Sequence, residues 1–228
     1  MNLNKKQNNK AEWLIPALLI MLSLVPVLAG AARLSELASG AKVTPDNARF
    51  FASPIPVVVH IVSVSLYSML GAFQFAPGFR RRNSRWHRFV GKWILVPCGL
   101  GAALSGLWMS QFYSLPKSDG ELLYVFRLIF GLAMLISFLL GAFAAQRRDY
   151  ARHGDWMMRG YAIGLGAGTQ VFTHLPWLLF FGAPDELTRA LLMAAGWIIN
   201  IIVVEWIIHR RRTYRVQPAA KPQRILTT

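Results

Sequence analysis

The chain has one cysteine, Cys98, in 228 residues, and only ten acidic side chains against 25 Lys and Arg. A single cysteine excludes an intrachain disulfide and a thiolate metal cluster, so any metal site must draw on histidine, carboxylate or backbone. No paired-carboxylate site, phosphate-cradling glycine loop or Ser-His-Asp set is present, which leaves no motif for a hydrolase or transferase. Polar sequence is scarce as well. Charged residues make up 15% of the chain and hydrophobic ones 54%, too apolar for a soluble domain of this length.

The apolar residues come in long blocks without helical stripes, as expected of helices that face lipid and one another. Six blocks are long enough for a hydrocarbon core of roughly 30 Å. They are Trp13–Ala32, Pro56–Phe75, Trp93–Phe112, Leu122–Ala145, Gly160–Phe181 and Ala190–Ile208. The expected fold is an all-α integral membrane protein, a six-helix transmembrane bundle over 13–208 with core helices at about 56–181. Residues 1–12 form a cytoplasmic N-terminal segment, and 209–228 a basic, disordered cytoplasmic tail.

A net charge of +15 resembles a nucleic-acid signal until the charges are placed. Nineteen of the basic residues fall before span one, between spans two and three, between spans four and five, or after span six; six fall on the other side. That bias places both termini in the cytoplasm. It makes the basic patches contacts for anionic lipid, with no motif for nucleic acid beside them. Aromatic belts agree: Trp13, Trp86, Trp93, Trp156, Tyr161 and Trp206 at the inner ends, Trp108, Tyr113, Tyr124 and Trp177 toward the outer. Lysines ahead of an apolar run and Ala29-Gly30-Ala31 also fit a cleaved signal peptide, but the run is long and Arg33 follows directly.

Histidines carry the chemistry. His60 lies four residues after Pro56 and His174 seven before Phe181, roughly 6 and 10 Å in from the outer face. His87 and His153 sit in basic segments at the opposite face. Ionisable groups inside spans are costly and point to function. Two imidazoles at one level on different helices are suited to the iron of haem b, and the alternative is hydrogen bonding between helices. Both basic segments put a histidine among arginines beside a tryptophan, a weak internal echo. His209, among arginines at the last span's end, is expected to be an interfacial anchor. Gly160, Gly164 and Gly168 recur at four-residue spacing, so they share one face of a continuous helix. Such a face admits another backbone or a flat cofactor, plain packing being the simpler use. Arg127 and Glu205 are expected to snorkel, and Asn200, mid-span, to bridge helices.

Several segments together resemble the bacterial membrane family called domain of unknown function 2306. They are His60, Gly71-Ala72-Phe73-Gln74-Phe75 with Arg80-Arg81-Arg82, His87-Arg88-Phe89-Val90-Gly91-Lys92, Ser105-Gly106-Leu107-Trp108-Met109, and His153-Gly154-Asp155-Trp156-Met157-Met158-Arg159. The resemblance implies a helical membrane fold and no assigned activity. In layout the chain is also similar to two-haem transmembrane cytochromes b, which hold one histidine pair per leaflet, although those place their ligands within helices. The leading expectation is therefore haem b held by His60 and His174, with His87 and His153 as an inner pair, in a membrane oxidoreductase or electron carrier. The alternative is a non-redox protein: a small-solute or lipid transporter, or an assembly partner of a membrane complex.

Overall fold

The computed structural model describes residues 3–216, so the expected tail beyond Val216 lies outside the described residues. Those residues form helices, turns and loops, with no strand among them. The helix α1 (Leu3–Ala38) starts within the expected N-terminal segment and ends beyond the expected span. Asn47 then ties a loop together: its Oδ1 accepts from the Thr44 N–H (2.6 Å), and its Nδ2 donates to Glu36 (2.5 Å) and to the Lys42 carbonyl (3.1 Å). This is the turn that Pro45-Asp46-Asn47 announces. A short α2 (Ala48–Ala52) precedes α3 (Pro54–Ala72). The Ser53–Pro56 stretch, which reads as extended, instead starts α3 at Pro54, because proline in a first turn lacks only an N–H that would have no partner there.

At the end where the arginines gather, α4 (Pro77–Arg82) and α5 (Ser84–Val90) form a compact turn. We call this the basic end and the opposite one the far end. A π-helical turn, Gly91–Leu95, joins α5 to α6 (Val96–Phe112). Pro97 cannot donate to the Trp93 carbonyl and crowds it, and the wider turn absorbs the fault. After a 3-10 turn at Lys117–Asp119 comes α7 (Gly120–Gln146), and three residues later α8 (Tyr150–Gly164), capped by the Asp149 carboxylate on the Arg152 N–H at 3.0 Å. The chain continues as α9 (Gly166–Phe181) and α10 (Glu186–Val216), the latter passing well beyond His209.

Among the described residues, five helical segments are long and apolar enough to cross a membrane: Trp13–Ala38, Pro54–Phe75, Ser84–Phe112, Gly120–Gln146 and Glu186–Thr213. The expected span Gly160–Phe181 is not among them, because the helix breaks at Leu165 between α8 and α9. Gly164, Gly166 and Gly168 crowd this point, and each weakens a helix by about 1 kcal/mol relative to alanine. Neighbours mend the break. Asn200 of α10 donates Nδ2 to the Ala162 carbonyl (2.9 Å) and accepts from Thr169 Oγ1 (2.8 Å). Asn200 does bridge helices, as read from the sequence.

In the bundle α6 packs between α3 and α7, α7 against α8, and α10 against α7, α8 and α9, while α1 covers α3 and α9. Small residues and aromatics fill the inside. Phe138 of α7 is pressed between Gly99 of α6 and Gly160 of α8, and Tyr67 of α3 meets its edge at 5.5 Å. Leu18, Met21, Ile129, Ile136, Leu179 and Ile202 face outward, as in a bundle solvated by lipid.

The glycines at four-residue spacing do not share one partner. Gly160 meets Phe138, Gly164 meets Tyr67, and Gly168 meets the Leu22 backbone of α1. The break separates Gly168 from the other two, so the three glycines do not form one continuous face. A methyl at Gly168 would lie 2.2 Å from the Leu22 carbonyl oxygen, which no rotamer change relieves, whereas one at Gly91 meets nothing within 4 Å. Gly168→Ala is therefore expected to destabilise the protein by about 1–3 kcal/mol and Gly91→Ala to leave it near wild type, as checked by unfolding in mixed detergent micelles. Equal effects would refute this packing.

Candidate functional site

The far half of the bundle encloses a cavity of about 340 Å³. Its far-end lining, which we call the mouth, comprises Arg49, Phe50, Tyr113, Leu115, Pro116, Asp119 and Arg127. Val64, Leu107, Phe130, Met134 and Trp197 supply apolar wall, and Ile163, Gly164 and Ala167 bring it to the helix break. Trp197 reaches the lining because α9 has only hydrogen at Gly166, where a Cβ would come within 2.3 Å of the indole. Phe130 then stacks on Trp197 at 4.8 Å and 24°. The broken helix thus shapes the inner region of the cavity.

Of the four singled-out histidines, only His60 lines it. Its Nδ1 donates to the Ala102 carbonyl at 3.0 Å, with Ser105 Oγ at 3.1 Å. That bond fixes the proton on Nδ1 and leaves Nε2 as a bare acceptor. His174 sits on α9, which packs on α10 and α1. Its Nδ1 donates to Gln170 of its own helix at 2.8 Å, and its Nε2 is buried without a partner. The cavity therefore holds one imidazole of the outer pair, among walls that are mostly apolar. At the basic end, His153 Nδ1 donates to the Gly141 carbonyl at 2.9 Å. His87 has a buried, unpartnered Nδ1 and feels the charges of Arg80, Arg88 and His153, which puts the inner pair in one neighbourhood. His209 is exposed at the same end. Among the described residues no three His, Cys, Asp or Glu side chains gather as a metal site.

The mouth is organised by a group that is not legible in the sequence. Asp119, 3% exposed, receives Arg127 Nη2 and Arg189 Nε, each at 2.8 Å. It joins the turn before α7 to α7 and α10. Arg127 is thus paired where snorkelling was expected, and its Nη1 is buried with no partner. The next residue, Gly120, has φ +59°, and a Cβ there would collide with the Glu186 carboxyl group. The phenol of Tyr113 donates to the Ser53 carbonyl at 2.6 Å. Burial raises its pKa above the usual value although Arg49 pulls it down, so it stays a neutral donor.

Glu205 is likewise paired, receiving two bonds from Arg159 at 2.5 and 2.9 Å. Arg212 reaches Asp155 at 2.7 Å. The positions of Asp119, Asp155 and Glu205 in an acid-poor chain were the available signal, since an acid near a span needs a cation. Removing one member of the Asp119 group strands a buried charge. With Arg127 and Arg189 partly solvated, Asp119→Ala is expected to cost about 2–3 kcal/mol. The double variant Asp119→Ala with Arg127→Met should regain most of it, and a double-mutant cycle in micelles that shows additive losses would reject the coupling.

Neither a curated protein nor a solved structure matches the chain. A family model described as a predicted membrane protein, domain of unknown function 2306 (DUF2306), matches residues 57–208, about two thirds of the 228 residues. That stretch contains His60, His87, His153 and His174, the break at Leu165 and the walls of the cavity, so the chain belongs to the DUF2306 family of predicted membrane proteins.

Proposed function

We propose that this protein crosses the bacterial inner membrane six times, with both termini in the cytoplasm, and takes up a small organic molecule in the far-end cavity, which opens to the outside. The cavity carries this reading: a recess of about 340 Å³ inside a bundle, mostly apolar with a few convergent polar groups, is the usual form of a small-ligand site. Together α8 and α9 make the sixth crossing, broken where it adjoins the cavity, as spans at binding sites in many transporters are. The placement of nineteen basic residues at one end supports the orientation. At that end the exposed Arg85, Arg88 and Arg152 are suited to anionic lipid headgroups.

Each wall has a task in this reading. His60 offers Nε2 to a hydrogen-bond donor on the ligand, held in position by Ala102 and Ser105. Phe130, Met134 and Trp197 take its apolar portion. Orientation and access are tested together in a Cys98→Ser background. Ser110 lines the cavity, so Ser110→Cys should react with a small membrane-impermeant thiosulfonate added outside intact cells. Arg85→Cys should react only after permeabilisation. The reverse pattern would overturn the proposed orientation, and an unreactive Ser110→Cys would overturn the open cavity.

One observation favours a second reading, haem b. His60, His153 and His174 each place Nδ1 on a backbone carbonyl, the support usual for a ligating imidazole, and among the described residues none of the three Nε2 atoms holds a hydrogen bond. His60 and His174, or His87 and His153, would then hold the iron, which supplies one-electron transfer. The cavity itself, with one imidazole, does not make a two-histidine site. Protein expressed with ample haem should then show a Soret band and a reduced α band lost in both His60→Ala and His174→Ala. A featureless spectrum from folded protein ends that reading.

A further inference from the structure

We propose that the mouth of the cavity is an anion site, and that the ligand is a small water-soluble organic carboxylate with its charged group at Arg127 and Arg49 and its apolar body directed inward. This rests on the cavity reading above and adds the chemical class of the ligand.

Charge at the mouth is the first support. Two guanidinium groups, Arg49 and Arg127, and one carboxylate, Asp119, line the cavity there, and the two Asp119 oxygens are engaged by Arg127 and, from off the lining, by Arg189. Arg49 lies over the Phe50 ring at 4.5 Å and makes no ion pair among the described residues. The nearby acids do not cancel the surplus. Glu36 is held by Arg33 and Asn47, and Glu186 lies against Gly120, off the cavity lining.

The second support is the buried, unpartnered Nη1 of Arg127, which lines the cavity. A buried guanidinium N–H without an acceptor is expensive, and Asp119 engages only Nη2. With the guanidinium turned toward the cavity, an anionic oxygen there would complete this fork, the geometry in which guanidinium binds carboxylate or phosphate.

Inward of the arginines the walls are Val64, Leu107, Phe130, Met134, Ile163 and Trp197, which suit a compact apolar body. A volume of about 340 Å³ lies near the lower end of the range for ligand pockets, about 300–1,000 Å³. The entrance is formed by α2, the end of α6 and the turn before α7, at the water-facing end of the bundle, which favours a soluble acid over a membrane lipid.

The test uses the full-length protein in phosphatidylcholine nanodiscs, titrated by calorimetry with benzoate and with its neutral counterpart benzamide. Benzoate should bind at least tenfold more tightly than benzamide. Arg127→Gln should weaken benzoate about tenfold and Arg49→Gln about threefold, each leaving benzamide unchanged. Arg49 has no ion pair to lose among the described residues, so its variant carries the test if Arg127→Gln fails to fold. Benzamide binding as tightly as benzoate, or Arg49→Gln without effect on benzoate, overturns the anion site and leaves the cavity reading intact. If folded wild type binds neither probe, both readings fall. Loss of benzoate binding on adding phosphatidylglycerol to the nanodiscs would assign the mouth to a lipid headgroup and overturn the soluble acid.

Discussion

Within hydrocarbon every backbone N–H and carbonyl needs a partner from the protein, and the break at Leu165 is where this chain meets that demand by other means than a continuous helix. Ending α8 at Gly164 takes the Ala162 carbonyl out of the helical ladder, and Asn200 supplies the missing donor. Thr169, in the first turn of α9, holds the other side of the same amide. With those two bonds α10 is fixed to both halves of the broken element. Gln170 adds a third tie by donating to the Met193 carbonyl at 3.0 Å, and Thr173 a fourth to the Leu192 carbonyl at 2.9 Å. The far end of α10 is therefore held along the whole first half of α9. That in turn puts Arg189 where it reaches Asp119.

Glycine makes this arrangement possible through absence of side chain. Gly166 lets Trp197 lie against the break, and Gly168 lets the α1 backbone close over α9. Gly164 admits the Tyr67 ring at the place where the Tyr67 hydroxyl is itself buried without a partner. A continuous helix with leucine at these positions would push α1 and α10 outward and fill the floor of the cavity. The break, the close packing and the recess are one structural solution.

How much of this is legible follows from what periodicity and charge can encode. Five spans are readable because length and apolarity alone identify them. The expected span Gly160–Phe181 reads as continuous because Gly160, Gly164 and Gly168 fit helical spacing, while Gly166 between them is the sign of a break. Depth along the chain places His60 and His174 at one level but says nothing about azimuth. On α3 and α9 they turn to different neighbours, α6 for one and its own helix for the other. The partners of Arg127 and Glu205 are illegible because each lies 8 to 46 residues away on another segment, a distance that spacing rules do not cover. The bridging role of Asn200 is legible, since a mid-span amide has few other uses.

The two ends of the bundle differ in a way that bears on function. At the basic end, Arg159 with Glu205 and Arg212 with Asp155 link α8 to α10, and Trp13, Phe73, Phe79 and Trp86 interlock edge to face. Tyr161 crosses the interior to the Ser68 carbonyl at 2.7 Å and packs on Phe75 at 4.7 Å. None of these residues lines the cavity. The far end instead leaves polar groups around a recess that stops at mid-bundle. A protein that released its ligand through the basic end would have to break both ion pairs and an aromatic cluster in one movement, a barrier that binding alone does not face. On the proposed reading this asymmetry favours capture from one side, with the ligand leaving by the mouth it entered.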